Sequence, residues 1–131
     1  MLTLVGCSAT GEAFKQAENP SNGKAVIYFY RPSMYQGSAV KIMIVDNGEN
    51  VQRIQDGQFI RYEVDPGIHK LHTDTMAIDR PTTIDAKAGE VYYVRTGMRV
   101  GLWVGSWTLT RIYKEDAIPE ISLCKAGKVN Q

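Results

Sequence analysis

Cysteine and histidine are scarce in this 131-residue chain, two of each, so at most one disulfide and no all-imidazole metal site are available. No apolar run approaches the ~18 residues that read as a helical membrane span. Neither charge sign dominates: 15 Lys and Arg face 14 Asp and Glu. The broad basic face needed to grip a phosphate backbone is therefore missing, and no nucleic-acid partner is expected. Between Ala25 and Tyr113 no window shows the 3.6-residue apolar period of an amphipathic helix, which excludes a helical bundle. The Gly-x-Ser-x-Gly elbow, the phosphate-binding loop and the dinucleotide glycine fingerprint are all absent. None of the six serines adjoins a histidine, and carboxylate pairs such as Glu115-Asp116 sit in polar surroundings. Catalysis is not expected, and no cofactor is implied.

What is present is the punctuation of an all-β domain. Hydrophobic residues make up 44% and charged residues 22%, enough apolar content for one folded domain of this length. Lys24 to Tyr30 is β-branched and aromatic, and it stops at Arg31-Pro32 because proline cannot donate to a ladder. Ser38 to Val45 leads into Asp46-Asn47-Gly48, a hairpin turn since Asn-Gly tolerates positive φ. Val51 to Ile54, Phe59 to Val64, Ile68 to Asp74, Thr82 to Ala86, Glu90 to Thr96 and Trp107 to Tyr113 follow. Ile60, Tyr62 and Val64 alternate with Arg61 and Glu63, so one face of that strand is buried. About eight short strands at this spacing predict an antiparallel β-sandwich, immunoglobulin-like or transthyretin-like. Asp116 to Leu123 is expected to close it as a short helix capped by Asp116, with Pro119 in the first turn. The domain is placed at residues 24–124 and a disordered tail at 125–131.

The amino-terminal residues suggest an address. Leu4, Val5 and Gly6 precede Cys7, and this resembles the lipobox of bacterial lipoproteins. The resemblance implies cleavage after Gly6, so that residues 1–6 are the end of a signal peptide, and lipidation of Cys7. Met1 to Val5 is shorter than an export signal requires, so the rest of that signal is expected upstream. Ser8 beside Cys7 fits delivery to the outer membrane, facing the periplasm. The alternatives are a reduced, cytosolic Cys7 in a frayed end and a Cys7–Cys124 disulfide in an exported chain. With Cys7 acylated, Cys124 between apolar neighbours is expected to be buried. Residues 7–23, polar and rich in Gly, Pro, Ser and Asn, are expected to form a flexible tether of about 20–24 Å.

Five segments together are similar to an uncharacterised family of small bacterial lipoproteins, the domain of unknown function 2846. They are the lipobox at Cys7, Val26 to Pro32, Pro66 to Leu71, Ala88 to Val94 and Ala117 to Ile121. The resemblance implies a compact periplasmic β domain and carries over no functional residue.

Several side chains are candidates for recognition. Read as one strand, Gly97 to Trp107 puts Trp103 and Trp107 on a glycine-spaced face. Indoles supply large contact area at small entropic cost, as at binding hot spots. The competing reading makes either ring an end cap of the sandwich. Arg31 is expected to stack on Tyr28, Tyr30 or Tyr35, or to meet an anionic glycan or carboxylate. Arg31, Tyr30, Tyr35, Trp103 and Trp107 thus form the expected binding set, for an envelope protein or glycan. His69 and His72 lie on opposite faces of their strand, whereas His72 and Asp74 share one, too few ligands for zinc. A small metalloprotein or hydrolase using His69, His72 and Asp74 is the alternative, and inhibition of a cell-wall lytic enzyme is a further one.

Overall fold

A computed structural model describes residues 11–34, 38–75, 80–99 and 106–127. Among the described residues nine strands and one helix follow in chain order. They are β1 (Ala25–Tyr30), β2 (Ile42–Asp46), β3 (Glu49–Ile54), β4 (Gln58–Val64), β5 (Gly67–Thr73), β6 (Thr82–Ala86), β7 (Val91–Arg99), β8 (Ser106–Ile112), α1 (Lys114–Ile121) and β9 (Lys125–Ala126). The chain alternates between two sheets. One has the order β8-β7-β1-β4-β9, the other β3-β2-β5-β6.

The fold is all-β with a short carboxy-terminal helix, as the strand spacing predicts. Its pairing is not uniformly antiparallel: β1 pairs parallel with β7, and β4 parallel with β9. Local alternation reveals which residues share a face but not which remote strand lies alongside. β1, central between β4 and β7, is buried along its whole length. A strand covered on both faces reads as a continuous apolar run rather than an alternating one.

Alternate β1 residues serve two cores. Ala25, Ile27 and Phe29 join Ile42, Ile44, Ile54, Leu71, Ile84, Val94 and Leu109 between the sheets. Val26, Tyr28 and Tyr30 face the other way and pack with Tyr93, Phe14, Ala117, Ile121 and Cys124. The first sheet therefore carries a second layer on its outer face, made by α1 and the segment ahead of β1. Cys124 is buried there as expected, and burial pushes its thiol up to about 11.

Three sequence expectations need correction. Residues 11–23, the described part of the expected tether, do not behave as a free one. Phe14 is buried edge-on against Tyr28 and Phe59. Ala126 N–H donates to the Glu12 carbonyl and Phe14 N–H to that of Cys124. Arg61 holds the Asn19 carbonyl, and Glu63 accepts from Ser21 N–H and Oγ. One aromatic in a polar run was enough to dock the segment, which composition could not show. The helix begins at Lys114 with Tyr113 at its cap position and no side-chain cap, and Pro119 lies inside it. Proline removes one N–H there, and burial of Ala117 and Ile121 holds the helix in spite of it. Lys125 and Ala126, assigned to the tail, pair with β4 instead.

Candidate functional site

The β2–β3 connection is the tight turn that Asn47-Gly48 predicts, both residues having positive φ. Asn47 does more than turn the chain. Its side-chain amide donates to the Ile68 carbonyl and accepts from Lys70 N–H, tying the hairpin to β5. The outer face of the second sheet is thus a rigid platform. It holds a shallow open groove of about 580 Å³, within the size range of ligand sites. Val45, buried on this face, belongs to its lining. Lys70, His72 and Asp74 supply donors and a carboxylate, and Asn50 and Pro81 lie at its margin. Arg53 reaches Asp74 at 3.8 Å. His72 and Asp74 come together as their spacing predicts.

His69 does not join them. It points between the sheets, where Nδ1 lies 2.8 Å from Asp46 Oδ2 and Nε2 lies 2.8 Å from the Asp65 carbonyl. Both partners accept only, so the imidazolium, with two N–H groups, satisfies the geometry and either neutral tautomer leaves one contact unmade. Burial opposes that charge and is the largest single influence on the ring. The Asp65 carbonyl, the Asp46 hydrogen bond and the charges of both aspartates together outweigh it, so the pKa is raised. Tyr62 donates to the same Asp46 oxygen at 2.7 Å, and burial with that bond raises its pKa as well. Asp46 Oδ1 is buried with no hydrogen-bond partner among the described residues. Among those residues no three His, Cys, Asp or Glu side chains are placed to hold a metal ion. The set His69, His72 and Asp74 is therefore split across the sheet.

The expected aromatic patch is also divided. Residues 97–107 do not form one strand: Gly97 to Arg99 end β7, and Ser106 and Trp107 begin β8. Trp107 is 3% exposed and belongs to the core between the sheets. It is not a surface platform. Arg31, 1% exposed, lies with its guanidinium carbon 4.2 Å from the Trp107 ring centre. Among the described residues its stacking partner is an indole from far along the sequence rather than Tyr28 or Tyr30. Arg31 Nη1 also donates to the carbonyls of Val40 and Ile54, at 2.7 and 2.9 Å. Burial lowers its pKa, which the charge of Asp56 resists.

Tyr30 is fully buried on the other face of β1 and donates to Glu120 of α1, whose carboxylate is gripped by Arg95. Burial, then that hydrogen bond, raises the Tyr30 pKa. Cys7, Tyr35 and Trp103 lie outside the described residues.

Sequence reasoning missed Asp46, Tyr62 and Glu120. A signal existed for the first: Ile42, Ile44 and Asp46 are alternate residues of one strand, so the aspartate had to face the core. It missed too the threonines that finish the β8 edge. Thr73 and Thr82 hydroxyls donate to the Trp107 and Leu109 carbonyls, and Trp107 N–H donates to Thr75. The open edge of the first sheet is thus stitched to the second.

Comparison with known proteins adds a family and a relative. A family model described as a protein of unknown function, DUF2846, matches residues 21–107. That span contains the groove and leaves out the docked segment before residue 21, α1 and β9. An uncharacterized protein of Haemophilus influenzae is 25% identical over 111 residues, which are 82% of this chain and 64% of that protein. The chain thus spans a little under two thirds of that relative. No solved structure matches the chain.

Proposed function

We propose, from the premise that the chain belongs to the DUF2846 family, that it is a non-catalytic binding module held in the bacterial cell envelope by a lipid on Cys7. One observation carries the binding half of this reading: the groove over Val45. The outer face of the first sheet is covered by α1 and the docked segment, whereas among the described residues no second layer lies on the outer face of the second. Lys70 and His72 stand on β5 and Asp74 just past its end, where its N–H donates to the Met43 carbonyl, so polar groups of both signs are presented on one surface. Strand-borne sites hold side chains more firmly than loops do. An extended envelope polypeptide or a glycan strand is the ligand class this shape suits.

The lipobox resemblance supports the anchor. The buried Cys124 is compatible with an oxidising compartment, because a raised pKa keeps its thiol protonated and unreactive. The test is crosslinking in intact cells with a photoreactive residue in place of Lys70 or His72, against the same residue in place of Glu90. A product specific to the groove positions, lost in a Val45→Arg variant of unchanged melting temperature, is the expected result. Equal labelling from all positions would remove the groove as the binding surface.

A further inference from the structure

We infer that the end of the sandwich carrying the Asp56-Gly57 turn lies flat against the membrane, rather than standing off on a long leash. The inference rests on the lipid-anchor reading above and adds its geometry. The docked segment enters at that end and leaves at the other. Gly11 lies against Ala126, Ala126 pairs with Phe59 at the start of β4, and Lys24 at the segment's far end meets Asp65 beyond the end of β4. Gly11 fits because it lacks a side chain: a Cβ there would sit 2.1 Å from the Ala126 carbonyl oxygen. Only Ser8, Ala9 and Thr10 separate Cys7 from this fixed point. Four peptide steps, however they run, span at most about 14 Å.

The surface at that end suits a phospholipid headgroup layer. Leu123, 84% exposed, lies in the turn after α1, beside the Cys124 carbonyl that Phe14 N–H holds. Met34 and Val40 are exposed at the same end, placed by the bonds to Asp56 and Arg31. The lysines around them, Lys15, Lys41 and Lys125, are exposed, against Glu12 and the half-buried Asp56 of the turn, which accepts from Ser33 and Met34. The opposite end shows Asp65 with Lys24, Asp85 with Lys87, and Glu90, together with the exposed Ile68 and Tyr113. Apolar residues occur at both ends, so the short reach from Cys7 and the three lysines decide the orientation. Lysines close to the surface favour an anionic leaflet.

The test uses acylated protein purified from membranes and placed in vesicles of phosphatidylethanolamine and phosphatidylglycerol. A fluorophore is attached at Leu123→Cys or at Ile68→Cys; Cys124, buried with a raised pKa, stays unlabelled. A nitroxide on the lipid headgroups should quench the label at position 123 at least threefold more than the label at 68. Inserting about a dozen Gly/Ser residues between Thr10 and Gly11 should bring the two close to equality. Equal quenching in the unaltered protein would overturn this placement while leaving the anchor intact. Full contrast surviving the insertion would overturn the tether as its cause. Mass spectrometry of the same sample separates the two levels, since an unmodified Cys7 removes the anchor and this orientation together.

Discussion

The two ends of the sandwich each bury a cation, and they do so on different terms. At one end Arg31 lies under Trp107 and spends donors on the Val40 and Ile54 carbonyls. At the other, His69 is held between a carboxylate and a carbonyl, with Tyr62 sharing the carboxylate. Guanidinium keeps its proton at any pH a protein survives, whereas imidazole is the side chain whose charge changes near neutrality. One end is therefore closed by a constant charge and the other by a conditional one. Similar burial does not mean similar response to the medium.

Removing the indole is the most damaging way to break this comparison. Trp107→Ala deletes a core ring and uncovers Arg31, and it should cost about 3–5 kcal/mol in denaturant unfolding. Asp46→Asn attacks the other end by leaving His69 without its counter-charge. A loss of about 3 kcal/mol at pH 6 is expected, from the penalty of breaking a buried pair.

The pH dependence sharpens the contrast without destroying either end. His69 has a folded pKa raised above its ordinary 6.5. Its stabilisation is complete below that unfolded value and is lost as pH climbs through the folded value. Melting temperature should therefore fall between pH 6 and pH 8.5, and His69→Gln should flatten that decline. Arg31→Met should lower the whole curve and leave its slope alone. If the slope follows Arg31 instead, the assignment of the two ends is reversed.

Smaller effects are expected on the outer layer. Tyr30→Phe removes the hydroxyl that reaches Glu120, a loss of about 1 kcal/mol. Cys124 should ignore a thiol reagent at pH 8 until denaturant is added, with no change in stability on Cys124→Ala beyond a small cavity term. Rapid native labelling would show that α1 opens readily.

The sequence made the strands legible to within a few residues because alternation and turn chemistry act locally. Asp46-Asn47-Gly48 and the Ile60, Tyr62, Val64 face are examples. It did not disclose contacts whose partners lie far apart along the chain. Arg31 was read against nearby tyrosines, since nothing local points to an indole that folding brings back from β8. The Gly97 to Trp107 run carries glycines at regular spacing but no Asn-Gly or Pro-Gly marker, so two strand ends were read as one strand. The groove was half legible: His72 and Asp74 follow from periodicity, while Val45 as their neighbour required the β2–β5 pairing. The Asp46 pair was hidden by its own turn signal, which drew the aspartate into a loop reading.

The placement of β1 has a consequence for biogenesis. It is the earliest strand to emerge, yet its two neighbours, β4 and β7, come much later in the chain. A partly synthesised polypeptide would therefore display a bare, two-sided apolar ribbon with nothing to zip onto, the kind of segment that seeds aggregation. Such a chain is safest when that ribbon stays shielded until the final third has been made.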